Sequence, residues 1–144
     1  MTESMLQILL VEDDDVAAEA VQRSLNGLIN NFSVTIAEDG LVALQILRGR
    51  HLSRKIGHPC LVLLDLNMPR MNGFEFLDEL RADPQLKSTV VFVLTTSQEN
   101  RDRIRAYQSS IAGYMVKRAV GAQFLLLRNL LEQYRSVISF PAGA

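Results

Sequence analysis

Leu61-Val-Leu-Leu-Asp65 is an unbroken apolar run that ends on a carboxylate. A strand with one face in water alternates apolar and polar residues, so a continuous run of this kind fits a strand covered on both faces. Leu6 to Val11 and Val90 to Leu94 have the same character, and Phe32 to Ala37 and Ala112 to Val116 read as two further strands. Between them the apolar residues recur at helical spacing, over Asp15 to Ile29, Asp39 to Leu47, Phe74 to Leu80 and Glu99 to Ser109. Asp83-Pro84 stops the third of these, and Val120 to Ile138 reads as a long last helix. Strand and helix alternate five times, which predicts an α/β fold with a parallel sheet and helices on both faces. Right-handed crossovers place the first strand inside the sheet, so the expected order is 2-1-3-4-5, the flavodoxin-like doubly wound arrangement.

The 144 residues suit one domain, with a core from about 6 to 138 and a short tail over 139–144. Hydrophobic residues make up 48% and charged ones 22%, which excludes collagen-like and disordered classes. A formal net charge of −1 gives no bulk attraction to nucleic acid or to an anionic membrane, and neither is expected as a partner. The amino-terminal apolar run stops at Glu12 with no basic segment before it, so neither a signal peptide nor a membrane span is read there. A cytoplasmic location is the expectation. Cys60, the single cysteine, reads as a buried structural thiol. The segment from Arg48 to His58 carries Arg48, Arg50, Arg54 and Lys55, and reads as a solvated basic loop rather than a partner contact.

The chemistry gathers where the strands end. Glu12 and Asp13 follow the first strand, Asp65 the third, Thr95 the fourth and Lys117 the fifth. In a parallel sheet these carboxyl ends share one edge, where ligands bind at the reversal of strand order. Helix capping accounts for Asp14 or Asp15 but not for Glu12, Asp13 or Asp65. Two carboxylates about 4 Å apart repel by roughly 4 kcal/mol at an effective dielectric of 20, so three in one pocket call for a cation. Oxygen ligands of this type suit Mg²⁺. Lysine is scarce here, 3 against 12 arginines, and Lys117 at a strand end suits a carboxylate or phosphoryl oxygen as a point-charge partner.

Leu9-Leu-Val-Glu-Asp13, Leu63-Leu-Asp-Leu-Asn-Met-Pro-Arg-Met-Asn-Gly73, Val93-Leu-Thr-Thr-Ser97 and Gly113-Tyr-Met-Val-Lys117 together resemble the receiver domain of two-component response regulators. The resemblance implies that Asp65 is the phosphoacceptor and that Glu12, Asp13, Asp65 and Asn67 (the last through its backbone carbonyl) hold the metal. It gives Thr95 the hydroxyl that binds the phosphoryl group, Tyr114 the role of aromatic switch, and Lys117 that of partner to the phosphoryl oxygens. It implies a sensor histidine kinase as donor, and a phosphoacceptor signalling domain rather than an enzyme. A phosphorylation-induced change is expected on the face made by the fourth helix, fifth strand and fifth helix. Arg118 departs from the pattern, which usually has proline after this lysine. The basic insertion before the third strand and the run to Phe140-Pro141 are similar to the small regulators paired with bacterial and cyanobacterial phytochromes.

Three alternatives fit less well. A haloacid-dehalogenase-like phosphatase would use Asp65 as nucleophile but resembles Asp-x-Asp there, and this chain has Asn67. A flavodoxin would need hydroxyls and glycines after the first strand, where this chain has four acids. A docking module without phosphorylation would not need Asp65, Thr95 and Lys117 together. On a helical wheel for Val120 to Ile138, eight apolar residues between Phe124 and Ile138 fall within one arc of about 160°, with Leu125 outside it, wider than the roughly 100° needed to cover a core. A homodimer through this helix is expected, with Leu126, Leu130, Tyr134 and Ile138 in the interface.

Overall fold

The computed structural model describes residues 5–26, 32–120 and 124–141. Its elements are β1 (Leu6–Val11), α1 (Asp15–Leu25), β2 (Phe32–Ala37), α2 (Gly40–Leu47), β3 (Cys60–Leu64), α3 (Gly73–Ala82), β4 (Val90–Thr95), α4 (Asn100–Gln108), β5 (Gly113–Val116) and α5 (Leu125–Val137). One 3-10 turn, Lys117–Val120, follows β5. The strands form a parallel sheet in the order β2-β1-β3-β4-β5, as the alternation of runs predicts.

β3 is buried along its whole length, and β1 at every residue but Gln7, because the two sets of side chains on each strand enter two different cores. Leu9 and Val11 of β1 and Val62 and Leu64 of β3 pack with Ala43, Leu44 and Ile46 of α2, Phe76, Leu77 and Leu80 of α3, and Ala106 of α4. Leu6, Ile8, Leu10, Leu61 and Leu63 point the other way, against Ala18, Val21 and Leu25 of α1 and Leu127 and Leu131 of α5. The unbroken apolar runs are the direct signature of this double coverage.

The register sets up the carboxyl edge. Val11 lies opposite Leu64, so Glu12 and Asp65 leave adjacent strands at the same level. Thr95 lies opposite Val116, which brings Lys117 out beside it. Helix starts are fixed locally: the Asp14 carboxylate accepts from Val16 N at 2.9 Å, Asp39 from Val42 N at 2.9 Å, and Asn72 forms a reciprocal capping box with Glu75.

Two readings of the sequence need correction. The last helix does not run from Val120; it begins at Leu125, after the 3-10 turn and after Phe124, whose φ of 58° is left-handed and cannot continue a helix. Residues 121–123 lie outside the described part, as do residues 27–29 of the predicted first helix. The basic segment before β3 is only partly solvated. Glu12 N takes the Ala37 carbonyl, so by alternation the Ile36 carbonyl points outward from β2. Arg54 Nη1 donates to it at 2.7 Å and to Glu38 Oε1 at 2.7 Å, while Arg48 Nε meets Asp83 Oδ2 at 3.1 Å. Leu52 and Lys55 remain exposed. No helix among the described residues is long and apolar enough to cross a membrane.

Candidate phosphoacceptor and metal site

Glu12 and Asp65 are buried at the carboxyl edge while Asp13 is exposed beside them, and one oxygen from each of the three lies within 4.8 Å of the others. Lys117 reaches into this group. Its Nζ donates to Glu12 Oε1 and lies 3.9 Å from Asp65 Oδ2. Burial pushes the Glu12 carboxyl up to about 7, against the lowering effect of Lys117 and with a further rise from Asp65. One ammonium does not offset three carboxylates, and the donor set is hard oxygen throughout, so the cluster fits a Mg²⁺-type cation.

The remaining predicted residues surround Asp65. Asn67 is exposed in the loop after β3, and its N–H donates to Asp65 Oδ1 at 3.4 Å. Thr95 is fully buried at the end of β4, and its Oγ1 accepts from Ser97 N at 3.4 Å. Tyr114 is half-buried; its hydroxyl donates to the Ser97 carbonyl at 3.0 Å, and Arg103 stands over its ring at 5.5 Å. Arg118 Nη2 donates to Gln98 Oε1 at 2.6 Å and so bridges the loops after β4 and β5.

Sequence reasoning missed three contributors. Ser97 joins Thr95 to Tyr114 and also donates to Asp102 Oδ2 at 2.6 Å. Gly73 lets α3 start against Asp65: a Cβ there would stand 2.6 Å from the Asp65 carbonyl oxygen. Arg103 depends on α4 lying across β5, which no local pattern encodes. The four residues expected at a dimer interface are not alike. Leu126, Leu130 and Ile138 are exposed, with Leu125 and Val137 beside them. Tyr134 instead packs edge-on against Phe92 (5.1 Å between centroids) and Phe140 (5.8 Å) of its own chain.

A cavity of about 380 Å³ bounded in part by Ile56, His58, Cys60 and Leu86 lies at the amino ends of β3 and β4, at the far edge of the sheet from the carboxylates. Burial pushes the Cys60 thiol up to about 11, as expected for a structural cysteine.

Residues 8–129 match the model of the response regulator receiver domain. The chain is similar to response regulator Rcp1 of Synechocystis sp., at 33% identity over 137 residues, covering 94% of this chain and 93% of that one. Among solved structures it resembles the phosphorylated cyanobacterial phytochrome response regulator RcpA, with a TM-score of 0.80 at 29% identity, covering 94% of this chain and 98% of that one. It also resembles the Mn²⁺-bound form of Rcp1, with a TM-score of 0.80 at 32% identity, covering 94% and 99%.

Proposed function

Because the chain belongs to the response regulator receiver domain family, we propose that it is a response regulator whose Asp65 accepts a phosphoryl group from a sensor histidine kinase. The observation that carries this reading is the grouping of the Glu12, Asp13 and Asp65 carboxylates within 4.8 Å, with Lys117 Nζ 3.9 Å from Asp65.

In the reaction, an Asp65 oxygen attacks phosphorus, the phosphorus–nitrogen bond of the donor imidazole breaks, and the imidazole leaves with the bonding pair and takes up a proton. The acyl phosphate later reacts with water to give back the carboxylate and inorganic phosphate. Catalysis of such a transfer is chiefly alignment and charge neutralisation. Glu12, Asp13, Asp65 and the Asn67 carbonyl would hold Mg²⁺, which supplies positive charge to the transferring group. Lys117 stabilises a second phosphoryl oxygen, and the Thr95 hydroxyl donates a hydrogen bond to a third. That pull on Thr95 is passed through Ser97 to Tyr114, and the α4–β5–α5 face changes as a population shift.

The chain acts as a phosphoacceptor, not an enzyme on outside substrates. Likeness to RcpA, a phytochrome response regulator, supports a phytochrome-type kinase as donor, and the exposed Leu126, Leu130 and Ile138 support a homodimer through α5. Incubation with acetyl phosphate and Mg²⁺, followed by intact-mass measurement, tests the reading. One phosphoryl adduct is expected on wild type, and none without Mg²⁺ or with Asp65→Asn. Equal modification of both proteins would overturn it.

A further inference from the structure

The Asp39 carboxylate is almost completely buried, although it stands on the loop between β2 and α2 and is not part of the acidic cluster. One oxygen caps α2 through Val42 N. The other accepts from Arg70 Nε at 2.6 Å and pairs with the same guanidinium through Nη2. Arg70 belongs to the β3–α3 loop and holds a left-handed φ of 62°, which a β-substituted residue adopts at a cost. The neighbouring backbones are also joined: Gly40 N donates to the Met71 carbonyl at 3.1 Å, and a Cβ on Gly40 would fall 2.9 Å from Met71 Cγ. At the other end of the loop, Gly73 N donates to the Leu66 carbonyl at 3.0 Å. The segment pinned between these points carries Asn67, and its register decides where the Asn67 carbonyl lies relative to Asp65.

We infer that Arg70, acting through Asp39, is a positioning residue for divalent-cation binding. This rests on the reading of Glu12, Asp13, Asp65 and the Asn67 carbonyl as the metal ligands. The ion pair fixes the β3–α3 loop from the outside, so that the loop carbonyl is already in place when the cation arrives. The Arg70 side chain is 59% exposed, so truncating it leaves no cavity in the core.

Electrostatics makes the test discriminating. Removing a cation near a metal site strengthens metal binding if charge alone matters, whereas loss of positioning weakens it. Titrate Mg²⁺ and Mn²⁺ by calorimetry into wild type, Arg70→Met, Arg70→Lys and the Asp39→Asn/Arg70→Met pair, which keeps an amide oxygen to cap α2 and no unpaired charge. Outer partners of metal ligands typically change affinity by about 10- to 100-fold. A loss near the lower end is expected for Arg70→Met and for the double variant, with partial recovery in Arg70→Lys. Hydrogen exchange at Asn67 and Met68 should quicken in both weakened variants. A merely structural ion pair would lower the melting temperature and leave the affinity within twofold of wild type, and this overturns the inference. Wild type that binds neither ion would instead overturn the metal-site reading beneath it.

Discussion

The position of Glu12 costs the fold stability. The residue leaves β1 buried, beside Asp65, with the Lys117 ammonium and the Asp14 N–H offsetting its charge. Its carboxyl moves from an ordinary 4.5 to about 7, chiefly through burial. Between those values the folded chain keeps a proton that the unfolded chain has lost. Stability in metal-free buffer therefore falls as pH rises from about 4.5 to about 7, then levels off. Glu12→Gln removes the titrating group while leaving an oxygen to accept from Asp14 N, so this limb should flatten. Urea midpoints measured across the window in EDTA check it, and a wild-type midpoint constant over that range would contradict the account. A desolvated carboxylate of this kind, grouped with Asp13 and Asp65, is suited to bind a cation.

At the scale of elements, the start of α3 is a tight junction. A methyl group at Gly73 would meet the Asp65 carbonyl oxygen at 2.6 Å and Leu66 Cα at 2.7 Å, both backbone atoms that have no room to yield. Gly73→Ala should destabilise the protein by about 1–3 kcal/mol, read as a lower thermal midpoint, because helix and strand end must separate. An unchanged midpoint would mean that the junction is looser than its distances. Elements of this kind were partly legible in the sequence. Leu61 to Leu64 announced a doubly covered strand, and the order of the runs announced the sheet. Asp65, Thr95 and Lys117 were legible because each follows such a run at once. The start of α5 was not, since the residue that leaves helical geometry is Phe124, whereas Gly121 reads in the sequence as part of the helix. Asp39 and Arg70 were not either. They stand 31 residues apart on two loops, and only the assembled sheet edge brings them together.

At the scale of the molecule, the outer face of α5 is an exposed apolar surface. Leu125, Leu126, Leu130, Val137 and Ile138 are exposed there, whereas Tyr134 is taken up by Phe92 and Phe140. Contiguous apolar exposure of this kind marks a contact surface, and pairing with a second copy would cover it. Wild type should therefore sediment as a dimer at micromolar concentration and Leu126→Glu/Leu130→Glu as a monomer; a monomeric wild type would sink the proposal. The opposite flank has a different consequence. An outermost strand with free carbonyls is a template on which other chains can stack, one backbone after another, into fibrillar aggregates. The Arg54 guanidinium on the Ile36 carbonyl places a charged plug on that template. The basic insertion thus sets a charge against chain-on-chain growth at the β2 edge of the sheet.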